Sequence, residues 1–247
     1  MARIYKIKSG AIFLSDAHAN TNRANFRAFL QELNSLENEN LPSQIFMLGD
    51  MFDFLANTTY SQKFYEFEIN LINEISKKCE IFYFEGNHDF NLAEIFPSVK
   101  VFANKEQPVS FKSDMDEILQ ISHGDIFLPK QTQTTLLFLR NKIFLKIANA
   151  FDTLLNYAIT KSILNAQSKK NLDNKAENFE NFIEPKIHNY TAKIVVEGHY
   201  HQDSILEFDK KTYINLACFG VKPKIYKFDD KTNKFNEFCL NLNEKQL

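Results

Sequence analysis

The sequence predicts an α/β domain in which a parallel sheet carries a functional site at one edge. Three observations predict this class. Short apolar runs alternate with amphipathic helical segments, and a polar cluster follows each apolar run. The chain has 247 residues, of which 44% are hydrophobic, so it can bury one large core. The order β-α-β-α-β near the N-terminus implies parallel strands with right-handed crossovers. We therefore expect a single domain over residues 1–247.

The elements follow from hydrophobic spacing and from helix-capping and turn residues. Strands are predicted at 11–14, 45–48, 81–84, 99–102, 109–111, 117–121, 193–196, 205–208, 212–216, 225–228 and 235–240. One helix is predicted over 21–36, and a second begins at a Ser61 cap with Phe67 on its inner face. Residues 134–170 contain no glycine or proline, which favours two helices joined near 149–152. A polar linker over 171–178 precedes another helix.

Composition excludes several classes of protein. The net charge of -2 gives no general attraction to nucleic acid, so no nucleic-acid partner is expected. Cys79, Cys218 and Cys239 form no C-x-x-C pair, which argues against a disulfide framework and a thiolate zinc site and is typical of the cytoplasm. The apolar run at 11–14 is too short for a signal peptide, and none is long enough to span a bilayer.

The histidines mark the candidate site. Five of the six follow apolar runs within polar clusters, and His188 is expected on the surface. Ligands in α/β proteins lie at the carboxyl ends of strands. The side chains collected there are Asp16, His18, Asp50, Asn87, His123, His199 and His201. Seven nitrogen and oxygen donors exceed what one tetrahedral ion needs, and they match two ions that share a ligand.

Such a centre would keep net positive charge, attract phosphate and activate water. Asp50 is the expected bridge, because each carboxylate oxygen can face one cation. His88 lies beside a ligand without being assigned as one, so it suits proton donation to a leaving group. Asp53 is the candidate acidic partner that would orient His88 and keep it protonated. Asp89 and Asp125 are equally well explained as residues that orient ligands or as turn residues.

Five segments, in order, resemble the motifs of the calcineurin-like metallophosphoesterases: 16–18, 49–53, 86–89, 123–125 and 198–201. The resemblance covers essentially the whole chain and implies a four-layer α/β/β/α sandwich. It also implies a dinuclear Mn, Fe or Zn centre, with Mn²⁺ favoured, and a His88–Asp53 pair. Carried over by motif, one metal would take Asp16, His18, Asp50 and His201. The other would take Asp50, Asn87, His123 and His199.

A helical insertion over about 130–190 and the chain length resemble the UDP-2,3-diacylglucosamine pyrophosphatases of lipid A synthesis. In that branch the insertion caps the site and holds acyl chains, so residues 134–170 are predicted to form a lid. The expected substrate contacts are Asn87, His88, Arg140, Asn165, Lys169 and His199. The lysines of the lid would meet phosphate or the cytoplasmic face of the inner membrane. The alternative is a helical pair that merely packs on the sheet.

This chain departs from the better-known members of that branch at two places. It has His88 where they carry arginine, and 126–129 replaces a threonine–aspartate run. The resemblance implies cleavage of UDP-2,3-diacylglucosamine to UMP and 2,3-diacylglucosamine 1-phosphate. The first alternative is a phosphodiesterase or nuclease on the same centre, which would need a basic groove. The second is a non-catalytic scaffold, which would lack ligands, whereas all seven are retained here.

Overall fold

The computed structural model describes residues 3–238. The first half contains β1 (Tyr5–Lys6), β2 (Ile12–Leu14), α1 (Asn25–Ser35), β3 (Gln44–Met47), α2 (Thr59–Phe64), α3 (Glu66–Ile75), β4 (Glu80–Phe84), β5 (Lys100–Phe102), β6 (Val109–Lys112) and β7 (Ile118–Ser122). The second half contains α4 (Lys130–Leu139), α5 (Lys142–Leu154), α6 (Ala158–Ser168), α7 (Phe179–Ile187), β8 (Ile194–Glu197), β9 (Ser204–Phe208), β10 (Lys211–Asn215), β11 (Ile225–Asp229) and β12 (Lys234–Phe238).

The strands form two mixed six-stranded sheets. One has the order β12-β11-β2-β3-β4-β5, and the other has the order β1-β6-β7-β8-β10-β9. The pairs β2–β3 and β3–β4 are parallel, which confirms the predicted β-α-β-α-β arrangement. The carboxyl ends of these three strands therefore meet at one edge of their sheet.

The four-layer prediction is confirmed, because each sheet is covered by a helix layer on one face and by the other sheet on the opposite face. Along β2, Ile12 packs with α1 and α3, whereas Phe13 packs among residues of the second sheet. This alternation follows from the two-residue period of a strand. On the outer face of the second sheet, α7 packs against Val195 and Tyr213. The helix α7 thus forms a layer of the sandwich, although it falls within the predicted insertion.

Two helix predictions are wrong in detail. Ser61 does not begin a helix; it is buried within α2 and donates a 3.0 Å hydrogen bond to the carbonyl of Ala56. Tyr65 separates α2 from α3, so a single helical period does not run through the segment. For that reason Phe67, predicted on the inner face, is 45% exposed.

The predicted helical pair is three helices, α4, α5 and α6. The first break comes at Asn141, whose side chain accepts hydrogen bonds from the amides of Ile143 and Phe144 and so caps α5. The second comes at Asn156 and Tyr157, which have left-handed backbone conformations. The predicted junction at 149–152 lies inside α5. We call α4, α5 and α6 the lid.

The lid is apolar on two sides. In α5, Leu145 is buried against the rest of the protein, whereas Ile143 is 73% exposed and Leu154 is 81% exposed. Among the helices of residues 3–238, none has both the length and the apolar character needed to cross a bilayer. His188 is exposed at the end of α7, as predicted. Cys239 and the end of the predicted strand 235–240 lie outside the described residues.

Candidate dinuclear metal centre

The polar clusters meet because backbone hydrogen bonds continue beyond the strands. The amide of Asp16 donates to the carbonyl of Gly49 at 3.0 Å, and the amide of His18 donates to that of Asp50 at 2.9 Å. These bonds hold the segments after β2 and β3 side by side. The amide of His199 donates to Oδ2 of Asp16 at 2.9 Å, which joins the edges of the two sheets.

The backbone around the site is strained. Five of the predicted ligands have positive φ angles between 43° and 66°: Asp16, His18, Asp50, His199 and His201. Such conformations are uncommon for residues other than glycine and cluster at functional sites. Gly86 allows close approach, because a Cβ atom there would lie 2.2 Å from Oδ1 of Asp50.

All seven predicted ligands come together. Three groups have donor atoms within 4.8 Å of one another: Asp16, His18 and His201; His18, Asp50 and His88; and Asp50, His123 and His199. The remaining predicted ligand, Asn87, places Oδ1 at 3.3 Å from Nε2 of His123. His88 therefore lies beside the centre, where the sequence placed the proton donor.

Asp50 lies between His18, from the first group, and His123, from the third. Its Oδ2 atom is 3.5 Å from Nε2 of His123 and 3.9 Å from Nε2 of His18. Its Oδ1 atom accepts a 2.8 Å hydrogen bond from the backbone amide of His88. The same oxygen thus faces both groups, in contrast to the expected arrangement of one oxygen for each cation, because the other oxygen is occupied by the amide.

Backbone carbonyls fix the tautomers of three histidines. Nδ1 of His123 lies 2.7 Å from the carbonyl oxygen of Leu48. Nδ1 of His201 lies 3.0 Å from that of Leu172, and Nδ1 of His88 lies 2.8 Å from that of Asp53. A carbonyl oxygen can only accept a hydrogen bond, so Nδ1 carries the proton in each ring. The Nε2 atoms are left to face the centre, as in metal-binding histidines.

The chemistry of these donors fits two divalent cations. Oδ1 of Asp16 and Nε2 of His18 are buried without a hydrogen-bond partner among the described residues. Burial lowers the pKa of His201, but the facing carboxylate of Asp16 outweighs it and raises the pKa to about 11. Burial, reinforced by the nearby His123, lowers the pKa of His199 to about 4. The centre therefore combines carboxylates, a neutral imidazole, and one buried oxygen and one buried nitrogen atom that have no hydrogen-bond partner among the described residues.

The sequence profile of the calcineurin-like phosphoesterases matches residues 11–203. The chain belongs to this family. It is thus a hydrolase of the class that acts on phosphate esters with two metal ions. No curated protein sequence matches the chain.

Several solved structures resemble this phosphoesterase. An archaeal phosphodiesterase has a TM-score of 0.44 and 16% identity, over 93% of this chain and 99% of the other. The phosphopantetheinyl hydrolase of Mycobacterium tuberculosis has a TM-score of 0.42 and 10% identity, over 94% and 96%. A cold-active protein-tyrosine phosphatase of a psychrophilic Shewanella species has a TM-score of 0.42 and 12% identity, over 97% and 83%.

In this phosphoesterase, Asp89 orients Asp50, the candidate bridge. Its fully buried carboxylate accepts hydrogen bonds from the amides of Asp50, Met51 and Gly86 and from the hydroxyl of Tyr83. Four bonds from two segments, 50–51 and 83–86, hold the loops of Asp50 and Asn87 together. Of the two explanations left open by the sequence, the orienting one is therefore correct for Asp89.

The predicted pair of His88 with the Asp53 carboxylate is not formed. His88 contacts the backbone carbonyl of Asp53, as described above. The carboxylate instead accepts two hydrogen bonds from Nη2 of Arg23, at 2.8 and 2.9 Å, and one from Asn20 at 2.5 Å. One of its oxygens lies 3.4 Å from Nδ1 of His18, so it orients that predicted ligand. Sequence reasoning did not pair Arg23 with Asp53, because the two residues lie 30 positions apart and no local signal links them.

The expected substrate contacts divide into two sets. Asn87, His88 and His199 lie at the centre. Asn165 and Lys169 are exposed at the end of α6 and are not among the residues that line the cavity next to His88. Arg140 is buried in an ion pair with Asp125 and is also absent from that lining. The sequence places Arg140, Asn165 and Lys169 in the insertion, but it does not indicate the direction in which each side chain points.

The cavity lies between the lid and the centre and has a volume of about 340 Å³. Asn87 and His88 line it beside the centre. Its apolar lining comprises Phe54, Phe90, Leu139, Phe144, Leu145, Ala148, Ile159 and Ile163. The volume falls within the range of roughly 300–1,000 Å³ found for small-molecule sites. A mostly apolar chamber thus adjoins a polar centre.

Proposed function

We propose that this phosphoesterase hydrolyses the pyrophosphate of UDP-2,3-diacylglucosamine, releasing UMP and 2,3-diacylglucosamine 1-phosphate. The apolar cavity beside Asn87 and His88 is the main support for this substrate. A nucleotide lipid has phosphates for the polar centre and acyl chains for the apolar chamber. The cavity also favours a lid over a helical pair that only packs on the sheet.

We assign the metal ligands as the motifs imply. One cation would be held by Asp16, His18, Asp50 and His201. The other would be held by Asp50, Asn87, His123 and His199. Mn²⁺ is the proposed ion, with Fe or Zn as alternatives. Such cations lower the pKa of bound water and neutralise phosphate oxygens.

His88 is the proposed general acid. Its Nδ1 atom donates to the carbonyl of Asp53, so Nε2 is the atom that exchanges a proton with the leaving group. Its backbone amide is bound to Asp50, which keeps the ring beside the bridge. The Asp53 carboxylate would act through His18, as an orienting group rather than as a partner of His88.

We also propose that the lid contacts the cytoplasmic face of the inner membrane. The outer side of α5 carries a stripe of exposed apolar side chains: Ile143, Ile147, Phe151 and Leu154. Lys146 is exposed in the same helix and would meet anionic headgroups. An acylated substrate could then pass from the bilayer to the lid without crossing water.

Vesicle binding tests the membrane proposal. Phe151→Glu should lower co-sedimentation with vesicles that contain anionic phospholipid, because it places a charge in the apolar stripe. Glu180→Gln, at an exposed position of α7, is the control and should bind like the wild type. Equal binding of Phe151→Glu and the wild type would contradict the proposal. A dimer of this chain in gel filtration that Phe151→Glu dissociates would also contradict it, because the stripe would then be a dimer interface.

Substrate cleavage tests the lipid proposal. Protein with Mn²⁺ should release UMP from UDP-2,3-diacylglucosamine in mixed micelles, and chelator should abolish the reaction. Ala148→Phe fills the cavity and should raise KM for the nucleotide lipid while sparing hydrolysis of bis(p-nitrophenyl) phosphate. Ala150→Phe places the same side chain on an exposed position of α5 and is the matched control.

The alternatives predict other results. Cleavage of simple phosphodiesters by protein that leaves the nucleotide lipid intact would indicate a phosphodiesterase or nuclease. Fewer than one bound metal ion per chain after reconstitution would indicate a scaffold. Either result would overturn the lipid proposal.

A further inference from the structure

Arg140 connects the lid to the core of the protein. It lies at the junction between α4 and α5 and is only 9% exposed. Its Nη2 atom donates a 2.9 Å hydrogen bond to the carbonyl of Gly86 and forms an ion pair with Oδ2 of Asp125. Its own backbone carbonyl accepts a 2.8 Å hydrogen bond from Asn91. The junction is thus bound to the core through both its side chain and its backbone.

The two partners of this guanidinium group belong to two ligand loops. Gly86 directly precedes Asn87, and Asp125 follows His123 by two residues. Asp125 is fully buried, and Asn104 fixes its other oxygen at 2.9 Å. One nitrogen of Arg140 therefore holds together the loops whose ligand atoms, Oδ1 of Asn87 and Nε2 of His123, lie 3.3 Å apart.

Stability alone is a poor explanation for this arginine. Its Nε and Nη1 atoms are buried without a hydrogen-bond partner among the described residues. Buried donors without partners and a desolvated ion pair both cost free energy, and apolar replacements of such pairs are often neutral or stabilising. Arg140 itself does not line the cavity. Its guanidinium carbon lies 5.9 Å from the ring centre of Phe90, which does line it.

We propose that Arg140 is a positioning residue that couples docking of the α4–α5 junction to binding of the cation held by Asn87, His123 and His199. The inference rests on the two-metal site of the proposed function. When the junction is docked, the guanidinium group sets the spacing of the two ligand loops. By thermodynamic reciprocity, binding of that cation then favours the docked lid.

Two variants test the coupling. Arg140→Met removes the guanidinium group but leaves Asp125 unpaired in the interior, which threatens folding. The double variant Arg140→Met/Asp125→Asn removes both charges and keeps a side chain that Asn104 can bind. Lys142→Gln is the matched control, because Lys142 forms a 2.9 Å ion pair from the same lid to Glu94 through exposed side chains.

Calorimetric titration with Mn²⁺ should resolve the effect on each cation. Loss of groups behind metal ligands typically weakens binding by about 10- to 100-fold. We expect a loss of this size for one cation in the double variant, with the other bound as in the wild type. In electron paramagnetic resonance, the spectrum of a coupled Mn²⁺ pair should give way to that of an isolated ion at limiting Mn²⁺. Lys142→Gln should match the wild type in both measurements.

Hydrogen exchange tests the reciprocal effect. Mn²⁺ should slow amide exchange over residues 130–145 in the wild type and in Lys142→Gln, but not in the double variant. Unchanged affinity for both cations in the double variant would overturn the inference while leaving the two-metal site intact. Wild-type protein that binds fewer than one ion per chain would overturn both the inference and the proposed function.

Discussion

The backbone amide of His88 donates a 2.8 Å hydrogen bond to Oδ1 of Asp50. This bond turns the second oxygen, Oδ2, toward Nε2 of both His18 and His123. It also keeps the His88 ring next to the Asp50 carboxylate. The candidate bridge and the candidate proton donor are therefore placed by the same contact, although they follow different strands.

Loss of the shared carboxylate should empty both metal sites. Asp50→Ala removes the only side chain assigned to both cations, so we expect metal content to fall from about two ions per chain to nearly none. Elemental analysis after reconstitution with Mn²⁺ measures this. Asp173→Ala, in the exposed linker, is the control and should keep both ions. Full occupancy in Asp50→Ala would refute the assignment of the bridge.

Replacement of His88 should slow turnover without loss of metal. His88→Ala leaves all seven predicted ligands in place but removes the imidazole that can donate a proton, so kcat should fall by roughly a hundredfold or more. Steady-state kinetics with elemental analysis of the same sample measure both quantities. His188→Ala removes an exposed histidine and should be silent. An unchanged kcat would remove His88 from the mechanism.

Asp53→Asn should act on the metal rather than on the proton donor. Its carboxylate lies against His18 and Arg23, whereas His88 contacts only its carbonyl. We expect about 10- to 100-fold weaker binding of the cation next to His18. Titration with Mn²⁺ checks this, and Asp173→Asn is the control. If Asp53→Asn instead kept full metal affinity and lost kcat like His88→Ala, the carboxylate would be a partner of His88 after all.

Metal binding should release protons from chelator-treated protein. Burial lowers the pKa of His123, but the carboxylate of Asp50 outweighs it and raises the pKa to about 10; His201 is raised to about 11 by Asp16 in the same way. Both rings are then protonated at neutral pH, and a ligand must be neutral. Apparent affinity should rise with pH, by up to about tenfold per pH unit for each proton displaced.

Calorimetry in buffers of different ionisation enthalpy counts these protons, and an apparent binding enthalpy that is independent of the buffer would contradict the expectation.

The same pKa shifts make the free energy of unfolding of the metal-stripped protein depend on pH. A histidine whose pKa is raised stabilises the metal-stripped protein fully below its unfolded value of 6.5, and this contribution is lost as the pH rises toward 10 or 11.

The order of the strands at the centre and the set of candidate ligands could be predicted from local patterns alone. Apolar runs that end in polar clusters are local patterns, and parallel strands place their carboxyl ends at one edge. Asp16, Asp50 and Asn87 could therefore be selected before any contact was known. The left-handed backbone at Asp16 and Asp50 turns these side chains into the centre, within the short segments that the sequence marked.

The contacts of the groups behind the candidate ligands, in contrast, follow from the tertiary fold. Arg23 reaches Asp53 across 30 positions of the chain, and Arg140 reaches Asp125 across 15. A long side chain can turn toward solvent, substrate or a buried carboxylate, and its neighbours in the chain do not select among these. That choice depends on the packing of the lid and loops, because a buried charge is tolerated only where the fold supplies an opposite charge within bonding distance.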